Sequence, residues 1–154
     1  MTIDARLATL GIVLPRAAAP AANYVPGVVH AGLLHISGQI PFDDAGNLVR
    51  GRLGDDMTLK EGAAAARRCG IGLLAQMQSV LGSLERVRRV VKLGVFVAST
   101  PEFTDQPKVA NGASDLMVEV FGENGRHARS AVGVAALPLG VAVEIDAIIA
   151  VDDG

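Results

Sequence analysis

Three charged residues, Arg129, Glu144 and Asp146, interrupt the otherwise apolar and alternating stretch from Ala128 to Ala150. A guanidinium can hold a carboxylate through two parallel hydrogen bonds. A neighbouring carboxylate can take a proton from a bound water and return it. Arg129 and Glu144 together therefore suit a small ligand that carries a carboxylate group. A structural salt bridge between strands fits the same two residues equally well, and Asp146 is interpreted as a solvated strand-end charge or a subunit-boundary partner.

The sequence pattern around these charges predicts a β-hairpin that would position them. β-Branched residues alternate on both sides of the turn Leu137–Gly140, as is typical of paired strands. If Ala136 and Val141 flank the turn, the pairs are Val134 with Val143, Gly133 with Glu144, Ala131 with Asp146, and Arg129 with Ile148. This register predicts that the three charges share one face with the small residues Ala131 and Gly133, which would leave a hollow there. A slip of one residue would move each side chain to the other face.

The composition narrows the class of protein. A chain of 154 residues predicts a single domain, 1–154, in which residues 1–16 form an N-terminal helical extension. A net charge of -2 and an aromatic content of 3% provide neither a basic field nor stacking surfaces, so we expect no nucleic-acid partner. No apolar run approaches the ~18 residues that span a bilayer. The single Cys69 suits a reducing compartment, and we expect a cytoplasmic protein with no membrane partner and no signal peptide.

Local patterns predict the remaining elements. We expect a short helix at Ile3–Leu10, a linker at Ala17–Ala22, and a hairpin of Asn23–His30 with Leu33–Ile40 around Ala31-Gly32. Thr58 and Glu61 have the spacing of a capping box before a long helix. Its apolar stripe comprises Ala66, Cys69, Leu73, Met77, Val80 and Leu81. Gly70 and Gly72 on this helix are expected to mark close packing on the sheet.

The second half contains the strongest strand and a second helix. Val87–Ala98 is predicted to place Val91, Leu93, Val95 and Val97 on one face and Lys92, Gly94 and Phe96 on the other. Asp105 and Pro107 are expected to start a helix with a buried stripe of Ala113, Leu116, Met117 and Val120. Asn111-Gly112 is turn chemistry inside this helix, a violation typical of functional positions.

The order of elements predicts an α+β fold of two layers. Two main helices would cover one face of a mixed sheet. The other face would be covered by copies of the same chain, because no further helices are available.

Other chemistries lack their signatures. His30, His35 and His127 are scattered and Cys69 has no partner at ligand spacing, so we expect no metal. Ser37 lacks the strand-turn-helix context of an activated nucleophile and reads as a hydrogen-bonding residue at a strand end.

Three segments carry a family resemblance over nearly the whole chain. They are ISGQIP from Ile36, VVKLGVFV from Val90, and ARSAVGVAALPLGVAVEIDAI from Ala128. With them the chain resembles the RidA/YjgF family, also called L-PSP or translation-inhibitor-like. The resemblance implies a chorismate-mutase-like fold, homotrimers with ligand clefts between subunits, no cofactor, and hydrolytic deamination of reactive 2-imino or enamino acids to 2-keto acids and ammonia.

The resemblance also assigns roles to individual residues. It places Arg129 as the carboxylate-binding arginine and Glu144 as the acidic residue associated with water activation. Tyr24, Ser37 and Asn111 match the tyrosine of the first strand, the serine of the SGQ motif and an asparagine on the second helix.

Some positions depart from the family pattern. Ala131 stands where the family often has a cysteine, and Gly133 where it has an acidic residue. These departures, with the longer start of the second helix, indicate a divergent branch, and Ala131 is a candidate for the ligand pocket. The alternative function is a non-catalytic trimer that binds a 2-keto acid or another small carboxylate. The RNA cleavage sometimes associated with the family name fits the charge and aromatic content poorly.

Overall fold

The computed structural model describes residues 1–20 and 22–152. Ala21, in the predicted linker, and Asp153 and Gly154, at the end of the predicted domain, lie outside the described residues. Within these ranges the chain forms three α-helices and five strands in the predicted order. They are α1 (Ile3–Thr9), β1 (Gly27–His30), β2 (Leu33–Gln39), α2 (Leu59–Leu81), β3 (Val87–Ala98), α3 (Gln106–Phe121), β4 (Ala128–Val134) and β5 (Val143–Val151).

The five strands form one sheet in the spatial order β1-β2-β5-β3-β4. β3 and β4 run parallel, and the other neighbours are antiparallel. α2 and α3 pack against each other and cover one face of this sheet. Along β5, residues alternate between buried and half-buried, as expected for a sheet with one covered face. The predicted α+β sandwich of two layers, with a mixed sheet and both main helices on one face, is confirmed.

The predicted hairpin between the last two strands is wrong. β3 lies between β4 and β5, so neither strand hydrogen-bonds the other. The turn exists as a short 3-10 segment at Pro138–Gly140, but it lies in a loop that crosses the end of β3. Alternation along a strand indicates which residues share a face, but it carries no information about which strand is the neighbour.

The first hairpin and the long helix form as predicted, with two differences. β1 begins at Gly27 and not at Asn23. Val80, which was expected on the buried stripe of α2, is 37% exposed. β1 and β2 pair around Ala31 and Gly32, both of which have positive φ. Thr58 and Glu61 form both hydrogen bonds of the capping box, and Gly82 ends α2 in the left-handed conformation. Asp105 precedes α3 as predicted, although its side chain makes no capping hydrogen bond.

Glycines let the two long helices approach closely. A Cβ on Gly112 would lie 1.9 Å from the carbonyl oxygen of Ala63 on α2. A Cβ on Gly70 would lie 2.8 Å from Leu116 on α3, so Gly70 packs on a helix and its expected contact with the sheet is wrong. Gly72 does face the sheet, at Gln39. The turn-like pair Asn111-Gly112 is thus tolerated in a helix because no side chain fits at the second position.

The strand β3 contains a register shift between Val90 and Lys92. The shift buries Val90 completely and leaves Val91 half-buried, so Val91 is not buried with Leu93, Val95 and Val97, the residues with which it was predicted to share a face. Beyond the shift the predicted alternation holds, with Leu93, Val95 and Val97 in the core. Among the described residues, no helix is long and apolar enough to cross a membrane.

Candidate functional site

Arg129 lies near the start of the edge strand β4 and points to α3. Its Nη1 atom donates hydrogen bonds to Asn111 Oδ1 at 2.8 Å and to Ser114 Oγ at 3.1 Å. No hydrogen bond or salt bridge among the described residues uses Nε or Nη2. Arg129, Ser114 and His127 line a cavity of about 430 Å³. The arginine is therefore held by one nitrogen, while the edge that can grip a carboxylate remains free.

His127 extends this network behind Ser114. Its Nε2 lies 2.9 Å from Ser114 Oγ and its Nδ1 lies 2.7 Å from the carbonyl oxygen of Gly125. Burial lowers the pKa of His127, and the nearby charge of Arg129 lowers it further, against the opposing effect of the Gly125 carbonyl. The imidazole is therefore favoured in its neutral form.

Glu144 lies on β5 at a second cavity, of about 590 Å³. Burial raises the pKa of its carboxyl group, and the charge of Asp146 raises it further. A Cβ on Gly38 would lie 2.6 Å from Glu144 Oε2, so the glycine of the SGQ motif makes room for this carboxylate. The raised pKa makes Glu144 a stronger base than an ordinary glutamate.

Tyr24 and Ser37 line the same cavity as Glu144. The Ser37 hydroxyl donates a hydrogen bond to the carbonyl oxygen of Val25 at 3.2 Å, and its backbone N–H bonds Pro26 at 2.9 Å. Ser37 thus anchors the segment that presents the half-exposed Tyr24. The prediction of a hydrogen-bonding serine at a strand end agrees with these contacts.

Arg129 and Glu144 lie on opposite faces of the sheet. Arg129 is paired with Leu93 on β3, and Glu144 with Phe96 on the same strand. Paired residues share a face, whereas residues three apart along a strand point in opposite directions. Because Leu93 is fully buried under the helices, Arg129 is on the covered face and Glu144 on the open one.

The predicted common face for Arg129 and Glu144 is therefore wrong. No salt bridge among the described residues includes either side chain. The alternative of a structural salt bridge between them within one chain is wrong as well. Both groups remain available for a ligand.

The surroundings of Ala131 and Asp146 in the structure differ from those predicted. Ala131 is paired with Val95 and packs against the core, and a Cβ on Gly133 would lie 2.6 Å from Ser99 Oγ. The space beside these two small residues is therefore filled, and the predicted hollow is wrong. Asp146 lies inside β5 opposite Gly94, and not at a strand end. Burial raises the pKa of Asp146, while the Gly94 N–H and the charge of Lys92 act in the opposite direction.

No metal-ligand set of three or more His, Cys, Asp or Glu side chains occurs in the part of the chain that the structure describes. Cys69 is fully buried, and its burial raises the pKa of the thiol well above the usual range. It is therefore packed as an unreactive core residue.

Sequence reasoning missed Ser114 and weighed His127 only as a metal ligand. A signal was present, because Ser114 follows Asn111 by three residues on a helix, and His127 precedes Arg129 by two. These spacings place each residue near a predicted site residue. Their relevance depends on the approach of α3 to β4, which local patterns do not reveal.

The two-layer fold with one open sheet face places the chain in the chorismate-mutase-like class of α+β proteins. A family model described as "YjgF/chorismate mutase-like, putative endoribonuclease" matches residues 4–147. The chain belongs to this family, RidA/YjgF.

Individual relatives agree with this assignment. Protein TCP17 of Trypanosoma cruzi is 58% identical over 148 residues, which cover 96% of this chain and 92% of the relative. The crystal structure of Atu1372 from Agrobacterium tumefaciens, described as of unknown function, is 47% identical with a TM-score of 0.90, over 98% of this chain and 94% of that one. RidA from an Antarctic Psychrobacter species is 29% identical with a TM-score of 0.62, over 88% and 94%.

Proposed function

We propose that this protein is a hydrolytic deaminase that converts reactive 2-imino or enamino acids to 2-keto acids and ammonia. The main observation in its support concerns Arg129 and Glu144, which lie on opposite faces of the sheet. Within the described residues of one chain, neither the Nε and Nη2 atoms of Arg129 nor the carboxylate of Glu144 has a hydrogen-bond or salt-bridge partner, so both can bind a ligand. A site that uses both groups must then combine one face of one subunit with the other face of its neighbour. This arrangement supports clefts between subunits of a homotrimer.

The open face supports association of this kind. Val28 and Val132 are 50% and 46% exposed there, and Phe96 and Ile148 are half-buried. Burial of such apolar side chains between copies is favourable by about 25 cal/mol per Å². The same association would surround Glu144 with protein and strengthen its electrostatic interactions.

The chemistry follows from the two groups. The free Nε and Nη2 edge of Arg129 holds the substrate carboxylate, which fixes the imine carbon in place. Glu144 takes a proton from a water whose oxygen forms a bond to that carbon, and it passes this proton to the imine nitrogen to give a carbinolamine. Glu144 then takes the proton of the new hydroxyl group and returns it to the amino group. The carbon–nitrogen bond breaks and ammonia leaves as the carbon–oxygen double bond forms. The water supplies all the atoms that the substrate lacks, so the reaction balances without a cofactor.

The roles of the other site residues are proposed from their positions. Asn111 holds Arg129, whereas Tyr24 and Ser37 shape the cavity beside Glu144. Ala131 packs against the core next to the arginine and would affect the pocket only through the packing of β4.

A coupled assay tests this proposal. An amino-acid oxidase or dehydratase releases the imine, and semicarbazide traps what remains. We expect the wild type to suppress semicarbazone formation, and Arg129→Ala and Glu144→Gln to lose this effect. Arg88→Ala, which removes an exposed arginine of β3, is the matched control and should behave as the wild type. Equal imine loss with and without wild-type protein would overturn the proposal.

A second candidate is a non-catalytic trimer that binds a 2-keto acid or a similar small carboxylate. One observation favours it: Arg129 is held by two hydrogen bonds, whereas no hydrogen bond or salt bridge orients the Glu144 carboxylate among the described residues. The carboxylate-binding residue Arg129 is thus held in a more defined orientation than the proposed base Glu144. Calorimetry with small carboxylates would support this candidate if binding occurs without turnover and vanishes in Arg129→Ala.

A further inference from the structure

We propose that Ser114 and His127 are positioning residues that fix the rotation of the Arg129 guanidinium, so that its Nε–H and Nη2–H edge is presented to the ligand. This inference rests on the proposed carboxylate-binding role of Arg129. Neither residue belongs to the motifs that carry the family resemblance. Hydrogen bonds connect the Gly125 carbonyl, His127, Ser114 and Arg129 in series.

The Gly125 carbonyl at one end of this chain of hydrogen bonds determines which atom donates in each bond. The Gly125 carbonyl oxygen can only accept, so His127 Nδ1 carries a proton. In the neutral imidazole Nε2 is then an acceptor, and the Ser114 hydroxyl must donate to it. The lone pairs of Ser114 Oγ are thereby left for the Nη1 of Arg129.

As a result, only the Nη1 atom of the Arg129 guanidinium is hydrogen-bonded within the chain. Nη1 has two hydrogens, and Asn111 Oδ1 and Ser114 Oγ accept one each. Two acceptors on a planar group leave no freedom to rotate about its long axis without breaking a bond. The three remaining N–H groups belong to Nε and Nη2, the edge that matches a carboxylate in bidentate geometry.

The far end of this chain of hydrogen bonds is anchored in the backbone. Gly125 is buried, and a Cβ on it would lie 2.1 Å from the carbonyl oxygen of Met117 on α3. Its own carbonyl therefore has a fixed place relative to α3. The bonds from Gly125 through His127 and Ser114 to Arg129 close a ring between α3, the following turn and β4.

A merely structural role for this ring predicts a different result from a positioning role. If the bonds only tie β4 to α3, removing the Ser114 hydroxyl should lower the free energy of unfolding and leave ligand affinity unchanged. If they orient Arg129, the guanidinium should gain rotational freedom and the affinity should fall. The second outcome has a spectroscopic signature that requires no ligand.

The experiment uses the full chain with Ser114→Ala, Ser114→Thr and the control Ser79→Ala. Ser79 is an exposed serine of α2, on the helical layer and away from the open sheet face. Nitrogen-15 NMR of labelled arginine should show separate, slowly exchanging Nη1 and Nη2 signals of Arg129 in the wild type and in Ser79→Ala. We expect these signals to merge in Ser114→Ala and to separate again in Ser114→Thr. The Arg129→Ala spectrum assigns them.

Two further measurements complete the test. Nitrogen-15 NMR of His127 at neutral pH should show the Nδ1–H tautomer, and the Nε2 shift should change in Ser114→Ala only. Calorimetry with pyruvate should show roughly tenfold weaker binding for Ser114→Ala, since a hydrogen bond to a charged group contributes on that order. Ser114→Thr should remain within about threefold of the wild type because the hydroxyl is kept.

Failure of this inference and failure of the proposed function give different results. A His127 that carries its proton on Nε2, or Arg129 signals unchanged in Ser114→Ala, would overturn the positioning role whatever the ligand. Equal pyruvate affinity of the wild type and Ser114→Ala would overturn it too. If the wild type and Arg129→Ala bind no 2-keto acid while the Arg129 and His127 spectra behave as expected, the proposed function fails and the hydrogen-bonded ring stands.

Discussion

The amide oxygen of Asn111 lies 2.8 Å from Nη1 of Arg129, so a residue that disrupts the local helix pattern holds an arginine of the neighbouring strand. Asparagine is a poor helix former, because its side chain competes for backbone hydrogen bonds. Here that side chain is engaged with a guanidinium. The local cost is therefore offset by an interaction between α3 and β4.

Replacing Asn111 should weaken carboxylate binding. Asn111→Ala removes an acceptor for a charged donor, which typically contributes about 1.5–3 kcal/mol, so we expect at least tenfold lower affinity for a 2-keto acid. Asn111→Asp should bind more weakly still, because its carboxylate would compete with the ligand for Arg129. Calorimetry measures both, with Asn124→Ala in the exposed turn after α3 as control. Wild-type affinity in Asn111→Ala would contradict this role.

Two glycine-to-alanine substitutions in helices should change stability in opposite directions. Gly112→Ala places a methyl group against the Ala63 carbonyl and should destabilise the protein by about 2–3 kcal/mol or more. Gly72→Ala meets only ordinary contacts, the nearest at 3.5 Å from Gln39, and should stabilise it by about 0.5–1 kcal/mol. Urea unfolding at equal protein concentration measures both. Equal effects of the two changes would show that the helices can separate at Gly112.

Glu144→Gln should make the protein more stable near neutral pH while reducing its activity. The pKa of Glu144 is raised in the folded state, so the folded chain binds more protons than the unfolded one between the two pKa values. Stability contributed by this group therefore falls as the pH rises through that window, and the penalty is complete above it. The advantage of Glu144→Gln should shrink as the pH approaches the unfolded pKa of about 4.3.

Denaturation curves from pH 4 to 8 measure this difference, with Glu102→Gln, an exposed glutamate outside the sheet, as control. A gain for Glu144→Gln that does not vary with pH would show that ionisation is not its cause. A loss of stability at neutral pH would mean that Glu144 is stabilised in the assembled protein by a contact from another subunit.

A charge on the open face should prevent assembly. Val132→Lys places an ammonium group on a surface that we propose to be buried between subunits, where an unpaired charge costs several kcal/mol. Light scattering should give about three times the chain mass of 15.8 kDa for the wild type and the mass of one chain for Val132→Lys. Val13→Lys, at a valine that is 91% exposed, should assemble normally. A monomeric wild type would contradict the proposed trimer.

Much of the local structure could be predicted from the sequence because its causes are local. The capping box of Thr58 and Glu61, the left-handed Gly82 and the turn at Ala31-Gly32 each involve residues a few positions apart. The order of elements and the single covered sheet face followed from hydrophobic periodicity. The register shift near Val91 could not be predicted, because alternation continues on both sides of it and only pairing with β5 reveals it.

The sequence by itself determined which residue types are available for chemistry: an arginine and a glutamate in an apolar stretch, and an asparagine out of place in a helix. The tertiary structure decided where they point. Insertion of β3 between β4 and β5 puts Arg129 and Glu144 on opposite faces, and the approach of α3 to β4 brings Ser114 and His127 to the arginine. Periodicity describes a strand relative to its own axis, whereas neighbours and faces are set by long-range pairing, which depends on the packing of the whole chain.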